Sequence, residues 1–450
     1  MNEVESRPLP AALRLFVVLS LVIFVPTWVL AIGTIGVRAH YPMLFPFVND
    51  NNTFFDFWIF FPRFFYLHTA RFFDAGQFHF SYFAAAVPLY RAFYRFGLDR
   101  GMHLYFALGT GAVLAGAVVF GRALVRAGLR VRSAVLLMAV SVSCAFPVIF
   151  AIERGNLELL LAVGVTCGVW AFATGRRWLA AVLWGVFGAV KMYPLLLGGL
   201  FVARRRWAGW LLLLLGTAAA VTLLSLAYTG PTFAAARAGL QGGTAEFLAD
   251  YTLRIRATEW DHSLFAVLKV FAVAHGYAVA PLLRPYFLVA GTTMLLVWGL
   301  RLRRLPLANQ LVALSVSLVL LPPTSFEYTL TEMYGAWGVL VWLAVTGAAN
   351  GREVPGLRAA LGVMAVLFSP LRLVTWNGVG YGGQLQCGLL LGLLVIALWQ
   401  PWPALPCEGG ADATDARERR GDWGVWPGER LCGKTRVRHC GRDGDADARG

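Results

Sequence analysis

Two charged breaks interrupt otherwise apolar runs of this chain: Glu153-Arg154-Gly155-Asn156 and, further on, Lys191-Met192-Tyr193-Pro194. A charge inside hydrocarbon costs about 2.5 to 3.5 kcal/mol on insertion scales, so such breaks mark a site by default. Asp56 lies in an aromatic stretch, Phe54-Phe55-Asp56-Phe57-Trp58. A general base for a hydroxyl acceptor needs a carboxylate in a partly dry setting with no strong ion-pair partner, and Asp56 is the candidate. The plainer reading makes it the N-cap of a helix starting near Trp58. Lysine is scarce, with only Lys191, Lys269 and Lys434 among 39 basic residues. A flexible ammonium at a helix break suits a phosphate oxygen as a point charge, which makes Lys191 a candidate phosphate ligand. The plainer reading has its head reaching back to the membrane interface.

Gly155 and Asn156 read as the C-cap of one helix and the N-cap of the next. Capping leaves the Glu153-Arg154 pair unexplained, with Glu153 as the carboxylate that would orient Arg154. Glu158, in the first turn of the following helix, suits the helix dipole and is left out of the site. Asp261-His262-Ser263 precedes a helix, so Asp261 or Ser263 can cap it, while His262 could hydrogen-bond a diphosphate or sugar. A Ser-His-Asp hydrolase is excluded, because adjacent residues cannot adopt the triad geometry. Ser325-Phe326-Glu327-Tyr328 follows Pro322-Pro323, which ends its helix and sets a carboxylate and a phenol at the outer rim. Glu153, Asn156, Tyr193, Asp261, Glu327 and Tyr328 are the expected substrate contacts.

These residues need elements to hold them. The chain has 450 residues, 58% hydrophobic and 14% charged, with repeated long apolar segments, the composition of an all-α polytopic membrane protein. Ala11 to Ile32 is the expected first span, too long for the apolar region of a cleaved signal. The net charge of +15 lies wholly in the body, because the tail 403–450 has nine basic and nine acidic residues. Its clusters, such as Arg122/Arg126/Arg130/Arg132 and Arg301/Arg303/Arg304, flank apolar runs, which is the positive-inside pattern and not a nucleic-acid patch. Both termini are then cytoplasmic, and segments 34–79 and 229–262 are extracytoplasmic loops. Asp50, Asp56, Asp74, Glu153, Glu246, Asp250, Glu259, Asp261 and Glu327 all fall on the outer side, which points to shared use there. Trp178 to Val190 and Leu195 to Ala203 are each too short to cross ~30 Å and form a broken hairpin. Irregular backbone at that depth must line protein or a cavity. The tail cannot bury a core and is expected to be disordered. The six cysteines form no disulfide framework or zinc spacing.

The run Glu153-Arg154-Gly155-Asn156, Arg176-Arg177, Trp184 to Pro194 and Arg204-Arg205-Arg206-Trp207 resembles the central pattern of glycosyltransferase family 87. Asp56, the Phe80-Ser81-Tyr82-Phe83 to Pro88 segment, Asp261-His262-Ser263-Leu264 and Pro323 to Tyr328 are similar to its flanking motifs. The chain departs from that pattern at Arg154-Gly155-Asn156, in the missing second proline after Tyr193-Pro194, and at Phe326. The resemblance implies a GT-C-like fold of about ten to twelve transmembrane helices over residues 1–402, with an extracytoplasmic active-site cavity. It also implies an inverting hexosyltransferase that moves mannose from a polyprenyl-phosphate donor to a lipid or glycan acceptor. Asp56 would be the base, and Lys191, Arg154 and His262 would hold the phosphate. The outer loops have no Asp-x-Asp pair, so no metal or other cofactor is expected. The expected partners are the donor, the acceptor and membrane lipid. A secondary transporter or lipid-linked sugar flippase is the alternative, since transporters also use broken helices and midplane charges. Neither charged break has a second copy in the chain, whereas a transporter built from repeats would carry one.

Overall fold

The computed structural model describes residues 7–35, 55–69, 71–74, 82–202, 204, 207–255, 258–371, 375–376 and 379–405. Most of loop 34–79 with Asp50, the Phe80-Ser81 pair, Arg205-Arg206, Asn377 and the tail beyond 405 lie outside the described residues. The chain opens with α1 (Ala11–Ile35), then α2 (Phe55–Phe60), a 3-10 turn over Phe61–Tyr66, α3 (Arg71–Asp74) and α4 (Ala86–Tyr94). Next come α5 (Leu98–Arg126), α6 (Val131–Ser143), α7 (Phe146–Arg154), α8 (Glu158–Ala173) and α9 (Arg177–Val190). A 3-10 turn over Tyr193–Gly198 leads into α10 (Gly199–Val202) and α11 (Trp207–Thr229). The second half holds α12 (Phe233–Phe247), α13 (Leu264–Ala274), α14 (Leu283–Leu300) and α15 (Leu307–Leu320). A 3-10 stretch over Glu327–Met333 precedes α16 (Tyr334–Ala349), α17 (Leu357–Leu367) and α18 (Gly382–Trp399). Two short strands, β1 (Thr375–Trp376) and β2 (Val379–Gly380), pair antiparallel before α18.

The fold is all-α and polytopic. By length and composition, four stretches among the described residues can cross a membrane: Leu98–Arg126, Trp207–Thr229, Ala280–Arg304 and Gly382–Trp399. A fifth arises if α6 and α7, bent by 48°, count as one span. Six further apolar stretches among the described residues are shorter than a simple crossing needs, and breaks at Lys191-Met192-Tyr193-Pro194, Pro306 and Pro322-Pro323 cut several of these runs. Every residue of α15 is buried, and a helix that is apolar all round belongs at the centre of a bundle. It packs on α18, α16, α10 and both 3-10 stretches that flank the site. The expected hairpin break is present: α9 ends at Val190, Lys191 is extended (φ −143°, ψ 137°), and the chain turns back through the 3-10 turn. Segment 229–262, expected as a loop, contains the 15-residue α12, capped by the Thr232 hydroxyl, which accepts from Ala235 N–H at 3.1 Å.

Candidate active site

The corner between α7 and α8 follows the local chemistry of its sequence. Gly155 takes the left-handed conformation (φ 62°) that closes α7, and Asn156 Oδ1 accepts from Glu158 N–H at 3.0 Å to cap α8. This corner reaches Asp56 with two side chains. Arg154 Nη2 donates to Asp56 Oδ1 and Asn156 Nδ2 donates to Oδ2, each at 2.6 Å. Asp56 is buried in the first turn of α2, and its oxygens bind these side chains, so its role is not that of an N-cap. The helix that carries it is wedged by aromatic rings. Phe57 packs against Tyr90, Phe93, Tyr94 and Tyr105 at centroid distances of 5.1 to 5.9 Å. Tyr94 Oη donates to Phe57 carbonyl at 3.0 Å, and Tyr105 Oη donates to Asn156 carbonyl.

Two expectations change here. Asp56 was expected to lack an ion-pair partner, yet it has Arg154. Arg154 was expected to be oriented by Glu153, and it reaches Asp56 on another helix. Asn156, an expected substrate contact, is fully buried with both ends of its amide engaged, one of them on Asp56.

Two residues after Asn156, the same corner supplies Glu158. It is fully buried, and its Oε2 forms an ion pair with Lys191 Nζ. The earlier assignment of Glu158 to the helix dipole alone therefore fails, because its side chain turns inward to the break. Lys191 also turns inward, with its side chain 14% exposed. Its Nζ lies 5.6, 5.7 and 5.0 Å from the ring centroids of Tyr82, Tyr193 and Tyr328. Cation–π attraction of this kind contributes about 0.5 to 2 kcal/mol per favourable contact. Tyr328 is stacked on Phe150 at 5.7 Å and lies within electrostatic reach of Asp56, Glu158 and Arg154. The acid–amide cluster and the lysine cage are thus neighbours. Glu332, absent from the expected set, is also fully buried and comes within hydrogen-bonding reach of Glu158.

A second cluster joins segment 248–263 to the stretch after Pro323. Tyr193 Oη donates to Thr324 carbonyl at 3.4 Å, and the Thr252 and Thr324 hydroxyls lie 2.6 Å apart. Asp261 Oδ1 accepts from Ser263 and Ser325 N–H at 3.0 and 2.9 Å, and Lys269 Nζ lies 4.0 Å from Oδ2. Burial pushes the Asp261 carboxyl up to about 6, against the opposing pull of the Ser325 N–H and the Lys269 charge. His262 Nε2 lies 2.9 Å from the Ser325 hydroxyl and 3.2 Å from that of Thr329. Burial pushes the imidazole down to about 3, so it carries no charge at neutral pH. His262, expected to hydrogen-bond a phosphate or sugar, is in this structure a neutral imidazole between two hydroxyls. Asp261 is likewise absorbed in holding loops together. Glu153 and Glu327 are both buried. Among the described residues no group of three or more His, Cys, Asp or Glu is arranged to hold a metal ion.

The family model for glycosyltransferase family 87 matches residues 78–324, more than half of the chain and across both the α7–α8 corner and the α9 break. The chain belongs to glycosyltransferase family 87. No curated protein and no solved structure matches it. As a family 87 member it is a membrane glycosyltransferase, so the transporter and flippase readings fall away. In this family 87 chain the residues missed from sequence are Glu158 and Glu332. The lone lysine of the membrane body's first half was the available signal for Glu158, because a buried ammonium needs a carboxylate.

Proposed function

We propose that the protein transfers a hexose, mannose by family resemblance, from a polyprenyl-phosphate donor to a lipid or glycan hydroxyl on the extracytoplasmic face, with inversion. The observation that carries this reading is one corner, 154–158, holding Asp56 on one side and the Lys191 cage on the other. Asp56 accepts one hydrogen bond on each oxygen, and a carboxylate offers about four lone-pair sites, so each oxygen keeps room for an acceptor hydroxyl. Asp56 takes the hydroxyl proton as the oxygen attacks the anomeric carbon. The carbon–oxygen bond to phosphate breaks on the opposite face, and its electron pair leaves with the phosphate through an oxocarbenium-like state. Lys191 has three N–H donors and spends one on Glu158, so its ammonium can also anchor the leaving phosphate. Tyr82, Tyr193 and Tyr328 line that anchor. Arg154 orients the base. The unit that acts is residues 1–402, with both termini on the cytoplasmic side.

The test is transfer from labelled polyprenyl-phosphate mannose to a lipid-acceptor extract by purified protein. Asp56→Asn should abolish transfer with donor binding retained, and Lys191→Ala should weaken donor binding. Wild-type turnover in Asp56→Asn would remove it as base, and unchanged donor affinity in Lys191→Ala would remove the anchor.

A further inference from the structure

Lys191 faces more negative charge than one ion pair accounts for. Glu158 lies on α8 and Glu332 on the 3-10 stretch Glu327–Met333, and both are fully buried. Glu158 Oε2 pairs with Lys191, while Oε1 accepts no hydrogen bond from a donor among the described residues. Neither oxygen of Glu332 accepts one either. The two carboxyl groups nevertheless come within hydrogen-bonding reach of each other. Two ionised carboxylates in contact repel and cannot hydrogen-bond, whereas one proton between them supplies the missing donor. The stretch carrying Glu332 packs on α7, α8, α15 and α16. Their acidic and basic groups are Glu153 and Arg154 on α7 and Glu158 on α8; α15 carries none, and α16 adds only the Tyr334 phenol. Lys191, Tyr193, Glu327 and Tyr328 complete the titratable surroundings.

We propose that Glu332 is a positioning residue that holds a proton against Glu158, so that Lys191 answers to one carboxylate and stays available to the donor phosphate. Were Glu332 to ionise, the second carboxylate would compete with the incoming anion for the same ammonium. The protonated pair leaves one negative charge opposite the Lys191 ammonium before the donor enters, and it fixes the Glu158 oxygen that points at Lys191. This extends the reading of Lys191 as phosphate anchor and rests on it.

The experiment has two arms. In the first, binding of polyprenyl-phosphate mannose, a phosphodiester that does not titrate between pH 6 and 9, is measured across that range. Wild-type affinity should fall by tenfold or more as the pair loses its proton, on the scale of adding a charge beside an ammonium in a partly dry site. Glu332→Gln, which is isosteric and neutral, should hold that change to less than twofold. An equal pH dependence in wild type and Glu332→Gln would overturn the proposal. In the second arm, infrared difference spectra of wild type against Glu332→Gln at neutral pH should show a protonated-carboxyl carbonyl band lost in the variant. Its absence would overturn the proposal without reference to any donor. Failure of the donor to bind at every pH would instead sink the phosphate-anchor reading, leaving the infrared arm to decide the proton.

Discussion

Asn156 offers a sharp test of how the base is held, because its amide serves two partners with different needs. Oδ1 caps α8 through Glu158 N–H at 3.0 Å, and Nδ2 donates to Asp56 at 2.6 Å. Asn156→Ala removes both. The lost cap costs about 0.5 to 2 kcal/mol, and the hydrogen bond to a charged group about 1.5 to 3 kcal/mol. Asn156→Asp keeps the cap and the shape but replaces the donor with an acceptor beside Asp56. Two unit charges about 4 Å apart repel by roughly 4 kcal/mol at an effective dielectric near 20. Arg154, on the other oxygen of Asp56, offsets part of this, so ~2 kcal/mol or more should remain at neutral pH. The conservative change should therefore harm transfer more than alanine does at pH 8. At pH 5.5, where the introduced carboxyl can take a proton and donate again, the order should reverse. The assay is the transfer rate across that range for both variants, with thermal midpoints in detergent to separate cap loss from site loss. A wild-type rate in Asn156→Asp throughout the range would refute the idea that Asn156 orients the base.

The Asp261-His262 pair should give opposite slopes of stability with pH. His262, lowered from 6.5 to about 3, contributes stability that is full above 6.5 and lost as pH falls towards 3. Asp261, raised from 3.8 to about 6, contributes stability that is full below 3.8 and lost as pH rises through 6. Between pH 7 and 5 the first term falls by about 2 kcal/mol and the second rises by about 1 kcal/mol. His262→Gln should therefore gain stability on acidification and Asp261→Asn should lose it, as read by thermal unfolding; slopes of the same sign would rule this out. Gly383→Ala would set a Cβ 2.5 Å from the Asp261 backbone oxygen, where no flexible side chain can yield. Overpacking of this kind costs about 1 to 3 kcal/mol, so the variant should melt earlier, and an unchanged midpoint would show that α18 can move away.

What could be read from the chain was what local chemistry decides. Gly155 and Asn156 declared themselves as caps because capping is settled within a few residues. The break after Val190 was visible because a lysine and a proline stop an apolar run there, and the start of Leu264–Ala274 was marked by Ser263, which caps it. Partner choice was not visible. Arg154 meets Asp56 across 98 residues and Lys191 meets Glu158 across 33, and no periodicity records which charge answers which. Glu158 was set aside because a helix dipole already accounted for it locally. Glu332 gave no local signal in its apolar surroundings, and only the fold brings it, buried, beside Glu158. The bend between α6 and α7 at Cys144-Ala145 places Pro147 in the first turn of α7, where a proline is tolerated.

The corner 154–158 imposes a mechanical consequence on any account of transfer. Arg154 and Asn156 hold Asp56, and Glu158 holds Lys191, so under the proposed mechanism three residues within five positions set the geometry of both reacting ends. Buried ion pairs such as these contribute little net stability, since desolvation offsets most of the attraction, yet breaking one leaves a buried charge at a cost of about 3 to 5 kcal/mol. Their value is then in position. A glycosyl transfer needs the acceptor oxygen and the leaving phosphate on opposite faces of one carbon, and misplacement by about 1 Å costs on the order of a hundredfold in rate. Placing both anchors on one capped turn makes the distance between them a property of the backbone and not of two independent loops. Disturbance at either anchor should therefore be felt at the other, which is why paired substitutions at Asn156 and Glu158 should depart from additivity in transfer rate even where their effects on stability add.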